Sequence, residues 1–179
     1  MALYDKKDIK YDIYFISQVD VDVDLKPSLL NNHLYNNLNN QVIKHNGICY
    51  KNYGFIQEVQ RIISFSDGRL INESNDSSIR YKLTLQCKLC YPCIGDLYYA
   101  SINLILPTYI KLVNGPMQII VTPDNNMLQN KKLQIGQYVV IRVLNVQFCH
   151  MEHYIIIKGE ILDLVDNDED IKNMYEKIL

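Results

Sequence analysis

Cys87, Cys90 and Cys93 are spaced C-x2-C-x2-C, and Cys149, His150 and His153 follow far downstream. These are residue types that hold zinc or act as nucleophile and base. A structural zinc needs four ligands converging at about 2.0–2.3 Å, commonly as paired C-x2-C knuckles. The second knuckle is missing here, and on an extended strand Cys87 and Cys90 point to opposite faces. The trio is therefore expected to act as small buried hydrophobes, with no metal and no cofactor. His150 and His153 are expected to be solvated turn histidines. No G-x-S-x-G, G-x4-G-K-[ST] or H-E-x-x-H occurs, and no Cys/His pair has a third orienting residue in view. No catalytic residue is expected. A third candidate cluster lies in VDVDVDL, where Val19, Val21, Val23 and Leu25 alternate with Asp20, Asp22 and Asp24. Strict alternation reads as a half-buried strand whose carboxylates face water, not as a metal site.

The elements that would carry these residues follow from pattern. At 179 residues, 48% hydrophobic and 21% charged, the chain is globular and long enough for a real core. Its net charge of −2 does not advertise nucleic-acid binding. No run reaches membrane-span length and the N-terminus lacks a signal-peptide hydrophobic region, so an intracellular protein without a membrane partner is expected. Five cysteines, an odd number, favour reduced thiols.

Residues 1–10 are polar and expected to be peripheral. Pro27 suits a first helical turn, and Leu30, Leu34, Leu38 and Val42 form a stripe on a helix from about Pro27 to Ile43. Its Asn-rich exposed side is a poor helix former, so packing on a sheet must hold it. Gly47 to Ile63 (GICYKNYGFIQEVQRII) reads as a hairpin turning at Lys51-Asn52-Tyr53. Gly54 opens the second strand and marks a bulge or a close backbone contact. Asp67-Gly68 is a turn, and Ile79–Leu89 alternates as a strand. Cys90–Asp96 (CYPCIGD) reads as a boundary. Five short strands follow, over Leu97–Leu106, Tyr109–Val113, Met117–Thr122, Gln137–Phe148 and Tyr154–Val165. That is the complement of a small OB-type barrel. The expected class is α+β: a small N-terminal α+β unit with a helix on an antiparallel sheet (1–92), an all-β OB-type five-stranded barrel (93–165), and an acidic tail with a short helix (166–179).

Three stretches carry a family resemblance: Gly47–Val59 (G-x-C-x-x-x-x-G-[FY]-I-x-x-V), Tyr91-Pro92-x-x-Gly95-Asp96, and Asn114-Gly115-Pro116-Met117 before an Ile-Val-Thr strand. In order and spacing the chain resembles the larger stalk subunit of archaeal and eukaryotic multisubunit RNA polymerases, nearest the RNA polymerase II type. The resemblance implies a non-catalytic subunit whose tip domain docks on the polymerase core and whose barrel lies near the exiting transcript. Partners would be core subunits, a smaller stalk subunit and, weakly, nascent RNA. Core-docking candidates are Gly47, Lys51, Asn52, Tyr53, Gly54, Phe65, Asp67 and Gly68. RNA candidates are Tyr109, as a stacking platform, with Lys111, Lys131, Lys132 and Arg142. Residues 96–163 hold five cations and five anions, so any RNA contact should be weak. A cellular protein would work in the nucleus. The Asn/Ile bias and compact loops favour a large DNA virus, hence a cytoplasmic virus factory or virion. The alternative is a free-standing OB-fold RNA-binding factor, for instance in translation.

Overall fold

The computed structural model describes residues 4–71, 77–123 and 133–165. A two-residue strand, β1 (Ile9–Lys10), comes first, and a sheet follows. Its first strand, β2 (Phe15–Leu25), is the alternating segment, with Val19, Val23 and Leu25 buried and Asp20, Asp22 and Asp24 exposed. After it the expected long helix is broken. Pro27–Leu29 forms a single 3-10 turn, and α1 spans only Leu34–Val42. The Asn31 side chain is the cause: its Oδ1 accepts from the His33 N–H at 2.9 Å and from Asn37 Nδ2 at 3.2 Å. Such local side-chain bonds compete with the helical backbone. Leu38 and Val42 keep the stripe and are fully buried among residues of the sheet.

β3 (Ile48–Tyr50) and β4 (Gly54–Phe65) make the hairpin, β5 (Arg69–Ile71) is short, and β6 (Ser78–Cys90) runs through the middle. The sheet order is β2-β6-β4-β3, with β5 also on β6. β2 and β6 pair without interruption from Phe15↔Leu89 to Leu25↔Ile79. β4 does not: its register on β6 shifts between Ile56 and Glu58, between Val59 and Arg61, and between Ile62 and Ser64. Each shift inserts one extra residue. This explains why β4 buries every third residue, Ile56, Val59 and Ile62, where an unbroken strand would bury every second.

The remaining strands are β7 (Leu97–Ile105), β8 (Ile110–Asn114), β9 (Met117–Val121), β10 (Tyr138–Phe148) and β11 (Ile155–Leu164). They pair as β7-β10-β11-β9-β8 and close through β7–β8, giving a closed five-stranded barrel consistent with the OB type. The chain as a whole is mostly β. Ala100, Leu112, Met117, Ile119, Ile141, Val143, Ile155 and Ile157 fill the interior with no measurable exposure.

The N-terminal segment is not peripheral. β1 pairs in parallel with the start of β7, and Ile9, 4% exposed, joins Leu97, Tyr99 and Val140 in an outer cluster with Tyr4 and Tyr11. Leu97 and Tyr98 pair with both β10 and β1, so β1 occupies the β7 edge that β8 takes further along. Two residues are too few to register as a strand by periodicity.

Candidate functional site

The hairpin and the barrel meet at a buried junction. Cys49, Phe55 and Cys90 of the first sheet are buried in the same cluster as the barrel interior, with Ile13. Backbone bonds cross it: Cys49 N–H to the Glu152 carbonyl at 2.8 Å and Met151 N–H to the Cys49 carbonyl at 2.9 Å. The Tyr91 and Phe148 rings stack at 4.6 Å between centroids. Gly54 lies beneath them with φ of +78°; a Cβ there would stand 2.5 Å from the Cys90 carbonyl oxygen and 2.8 Å from the Tyr91 ring. Only glycine fits that backbone and that space.

The cysteine trio does not converge. Cys87 is buried among the helix–sheet residues, Cys90 in the junction, and Cys93 is exposed. Burial pushes the Cys87 thiol up to about 11 and that of Cys90 to about 12, the latter with a contribution from Cys49. The thiolate is the species that attacks or ligates, and both groups are held as thiols at neutral pH. Beside Cys93, Asp96 forms a polar lock. Its carboxylate accepts from the Cys93 N–H and the Tyr98 hydroxyl, both at 2.9 Å, and pairs with Lys10 at 2.7 Å. Partial burial raises the Asp96 pKa, but these three donors outweigh it and hold the carboxyl below its usual range.

The histidines expected to be solvated are exposed but not idle. His153 Nδ1 lies 2.7 Å from the Gly47 carbonyl, and the His150 ring stands edge-on to Tyr50 at 5.4 Å. Both therefore fasten the barrel's last hairpin to β3. Tyr50, Lys51, Asn52, Tyr53 and His150 line a cleft of about 310 Å³.

The docking candidates fall into two groups. Gly47, Lys51, Asn52, Tyr53 and Gly54 surround the β3–β4 turn beside the barrel, where Lys51 and Asn52 are exposed and Tyr53 donates to the Asp20 carbonyl at 2.7 Å. Gly54 is buried by the chain itself. Phe65, 43% exposed, and Asp67-Gly68 lie at the other end of β4, roughly 23 Å away along the seven steps of β6 that pair with it, at about 3.3 Å per residue.

The RNA candidates are also scattered. Tyr109 and Lys111 are half-buried at the start of β8. Arg142 on β10 pairs with Glu160 across β11 at 2.8 Å. Arg142 stands opposite Leu97 and Lys111 opposite Leu104, towards opposite ends of β7. Lys131 and Lys132 lie outside the described residues.

The structure adds a cluster that single-residue reading missed. At the end of β4 distant from the barrel, Asp22, Ser66, Arg69, Arg80 and Lys82 line a cleft of about 320 Å³. Register builds it: Asp22 faces Lys82, Asp24 faces Arg80, and Arg80 faces Arg69. Arg80 grips Asp24 with two bonds, Nε–Oδ1 at 2.7 Å and a terminal guanidinium nitrogen to Oδ2 at 2.9 Å, which holds the Asp24 carboxyl below its usual range. The alternation of β2 and of β6 marked each of these residues as outward-facing, but only their pairing brings them together.

No family model matches this chain. Over 176 residues, covering 88% of this chain and 86% of the other, it is 25% identical to a curated protein of Acanthamoeba polyphaga mimivirus named a "Putative DNA-directed RNA polymerase subunit".

Proposed function

We propose that the chain is a subunit of a DNA-directed RNA polymerase and, more finely, the larger subunit of its stalk. One observation carries the first step: the similarity to the mimivirus protein runs through nearly the full length of both chains. The stalk assignment is supported by the motifs around Gly47–Val59, Tyr91–Asp96 and Asn114–Met117, and by their settings. The first spans the hairpin that seals the junction, the second holds the Asp96 lock, and the third is the β8–β9 turn.

On this reading residues 1–92 form the docking tip, residues 93–165 an OB barrel, and residues 166–179 an acidic tail. The subunit is non-catalytic on this reading: its buried thiols are protonated, and the Asp24 and Asp96 carboxylates are bound by Arg80 and by Lys10. It docks on core subunits, pairs with a smaller stalk subunit, and touches emerging RNA weakly through Tyr109, Lys111, Lys131 and Lys132. Arg142 contributes less, because Glu160 already neutralises it. In a virus-encoded enzyme the site of action is the virus factory or the virion.

Affinity purification from the native source tests this. Recovery in an assembly above roughly 300 kDa, containing the large polymerase subunits, is the expected result. Recovery as a lone 20.9 kDa chain that binds single-stranded RNA tightly at high salt would overturn it in favour of a free RNA-binding factor.

A further inference from the structure

We infer that the cleft of Tyr50, Lys51, Asn52, Tyr53 and His150, where the β3–β4 turn meets the barrel's last hairpin, receives a short segment of a partner protein: one carboxylate on Lys51 and one large apolar side chain beside it. Both tyrosine hydroxyls are already engaged, Tyr50 with His45 Nδ1 and Tyr53 with the Asp20 carbonyl at 2.7 Å. The two rings are therefore what the cleft offers as walls, and tyrosine is among the commonest anchors of protein-binding hot spots. Lys51 and Asn52 are exposed, and neither side chain has a hydrogen-bond or ion-pair partner among the described residues. An unmatched ammonium and an unmatched amide thus stand beside fixed aromatic walls.

Charge identifies the occupant. From residue 26 to residue 57 the chain holds Lys26, Lys44 and Lys51 and no Asp or Glu, although its net charge is −2. The acids of β2 point the other way. Asp20, Asp22 and Asp24 alternate with the buried Val19 and Val23, and Tyr50 and Tyr53 pack against the valine side. The Asp20 carboxylate is bound to the Thr84 hydroxyl at 2.8 Å on the opposite face. Glu152, the acid nearest His150 in the sequence, is not among the lining residues. A carboxylate approaching Lys51 therefore meets no fixed anion in the cleft. A nucleic-acid strand is disfavoured by number: it carries a charge at every nucleotide and gains affinity by neutralising several together, whereas one lysine lines the cleft. At about 310 Å³ the cleft is at the small end of ligand pockets, which suits a single large side chain. The inference deepens the docking assignment of Lys51, Asn52 and Tyr53, and rests on the polymerase reading only for the assembly in which the partner is found.

Zero-length carbodiimide coupling of the purified native assembly tests it, since that reagent joins the Lys51 amine to a carboxylate in direct contact. The expected product is an amide from Lys51 to an Asp or Glu of another protein with an apolar residue close by in sequence, identified by mass spectrometry. A photoreactive side chain placed at Asn52 should label the same segment. Lys51→Glu should bind its assembly about tenfold or more weakly, with an unchanged melting temperature as the folding control, and Lys51→Arg should retain binding. An intact assembly in which Lys51 couples only to its own chain overturns the proposal, as does photolabelling of nucleic acid from position 52. Interchain coupling within an assembly lacking polymerase subunits would support the cleft while refuting the polymerase reading. Undiminished retention of Lys51→Glu in a genuine polymerase would do the reverse.

Discussion

The first sheet and the barrel solve the same problem in opposite ways. The barrel closes on itself, so its interior side chains are sealed and no long edge is left unpaired. The first sheet stays open. Among the described residues β2 pairs on one side only, one face takes the buried Leu38 and Val42 of a nine-residue helix, and the other carries a ladder of charges. Aspartates along β2 blunt that free edge against unwanted strand pairing. A closed shape maximises self-sufficiency; an open one leaves a face and an edge for other molecules. Yet the two are not separate bodies, because Cys49, Phe55 and Cys90 are buried with the barrel interior.

The largest expected effect tests that shared core. Gly54→Val should cost about 3 kcal/mol or more, from left-handed backbone strain and a clash with the Cys90 carbonyl and Tyr91. Urea unfolding should show one transition at a lower midpoint, with amide protection falling in both regions. Loss of protection confined to the first sheet would break the picture of a common core.

Truncation in each region sharpens the contrast. Leu38 and Leu112 are equally buried, and replacement by alanine should cost about 2–5 kcal/mol in general. Leu38→Ala should lie near the low end, because a short surface helix can settle into the gap, and Leu112→Ala near the high end, because a closed barrel cannot. Equal midpoint shifts in urea would mean that the helix is packed as rigidly as the barrel.

A smaller effect depends on pH. The bonds from Lys10, the Cys93 N–H and the Tyr98 hydroxyl hold the Asp96 carboxyl below its ordinary value in the folded chain. Its contribution is therefore fully present above the unfolded value and is lost as pH falls through the folded one. Asp96→Asn should cost about 1 kcal/mol at pH 7, and the gap to the unaltered protein should narrow as melts are taken at successively lower pH below the ordinary carboxylate range and close once Asp96 is protonated in the folded chain. A gap that persists there would mean that Asp96 acts by shape and not charge. The smallest effect is none: strong chelator should leave the melting temperature unchanged, and elemental analysis finding about one zinc per chain would contradict the thiol assignment of Cys87 and Cys90.

Much of this was legible in sequence where one periodicity governed one element. VDVDVDL and Ile79–Leu89 announced their strands, and the barrel strands fall within one or two residues of their turn signals. Gly54 announced a tight contact, although not that its neighbours would be Tyr91 and Phe148. What stayed hidden depends on register. The three bulges of β4 disguise a strand as a period of three, Asn31 stops a helix that Pro27 and Leu30 seem to start, and the pairing of Arg142 with Glu160 exists only once β10 and β11 align. The basic cleft is hidden for the same reason: no spacing rule joins Asp22, Arg69 and Lys82.

The parallel pairing of Ile9 with Leu97 has a consequence in time. On the ribosome β1 must wait for a partner made almost ninety residues later, on the order of 5–20 s at ordinary elongation rates. Until then the apolar side chains of Tyr4, Ile9 and Tyr11 have no place to go, and whatever the first sheet does meanwhile, it does with its leading end loose. That strap is drawn only when β7 arrives, so β1 is fastened after every strand of the first sheet has been made. A tag fused immediately before β1 would therefore load a strand that the barrel uses.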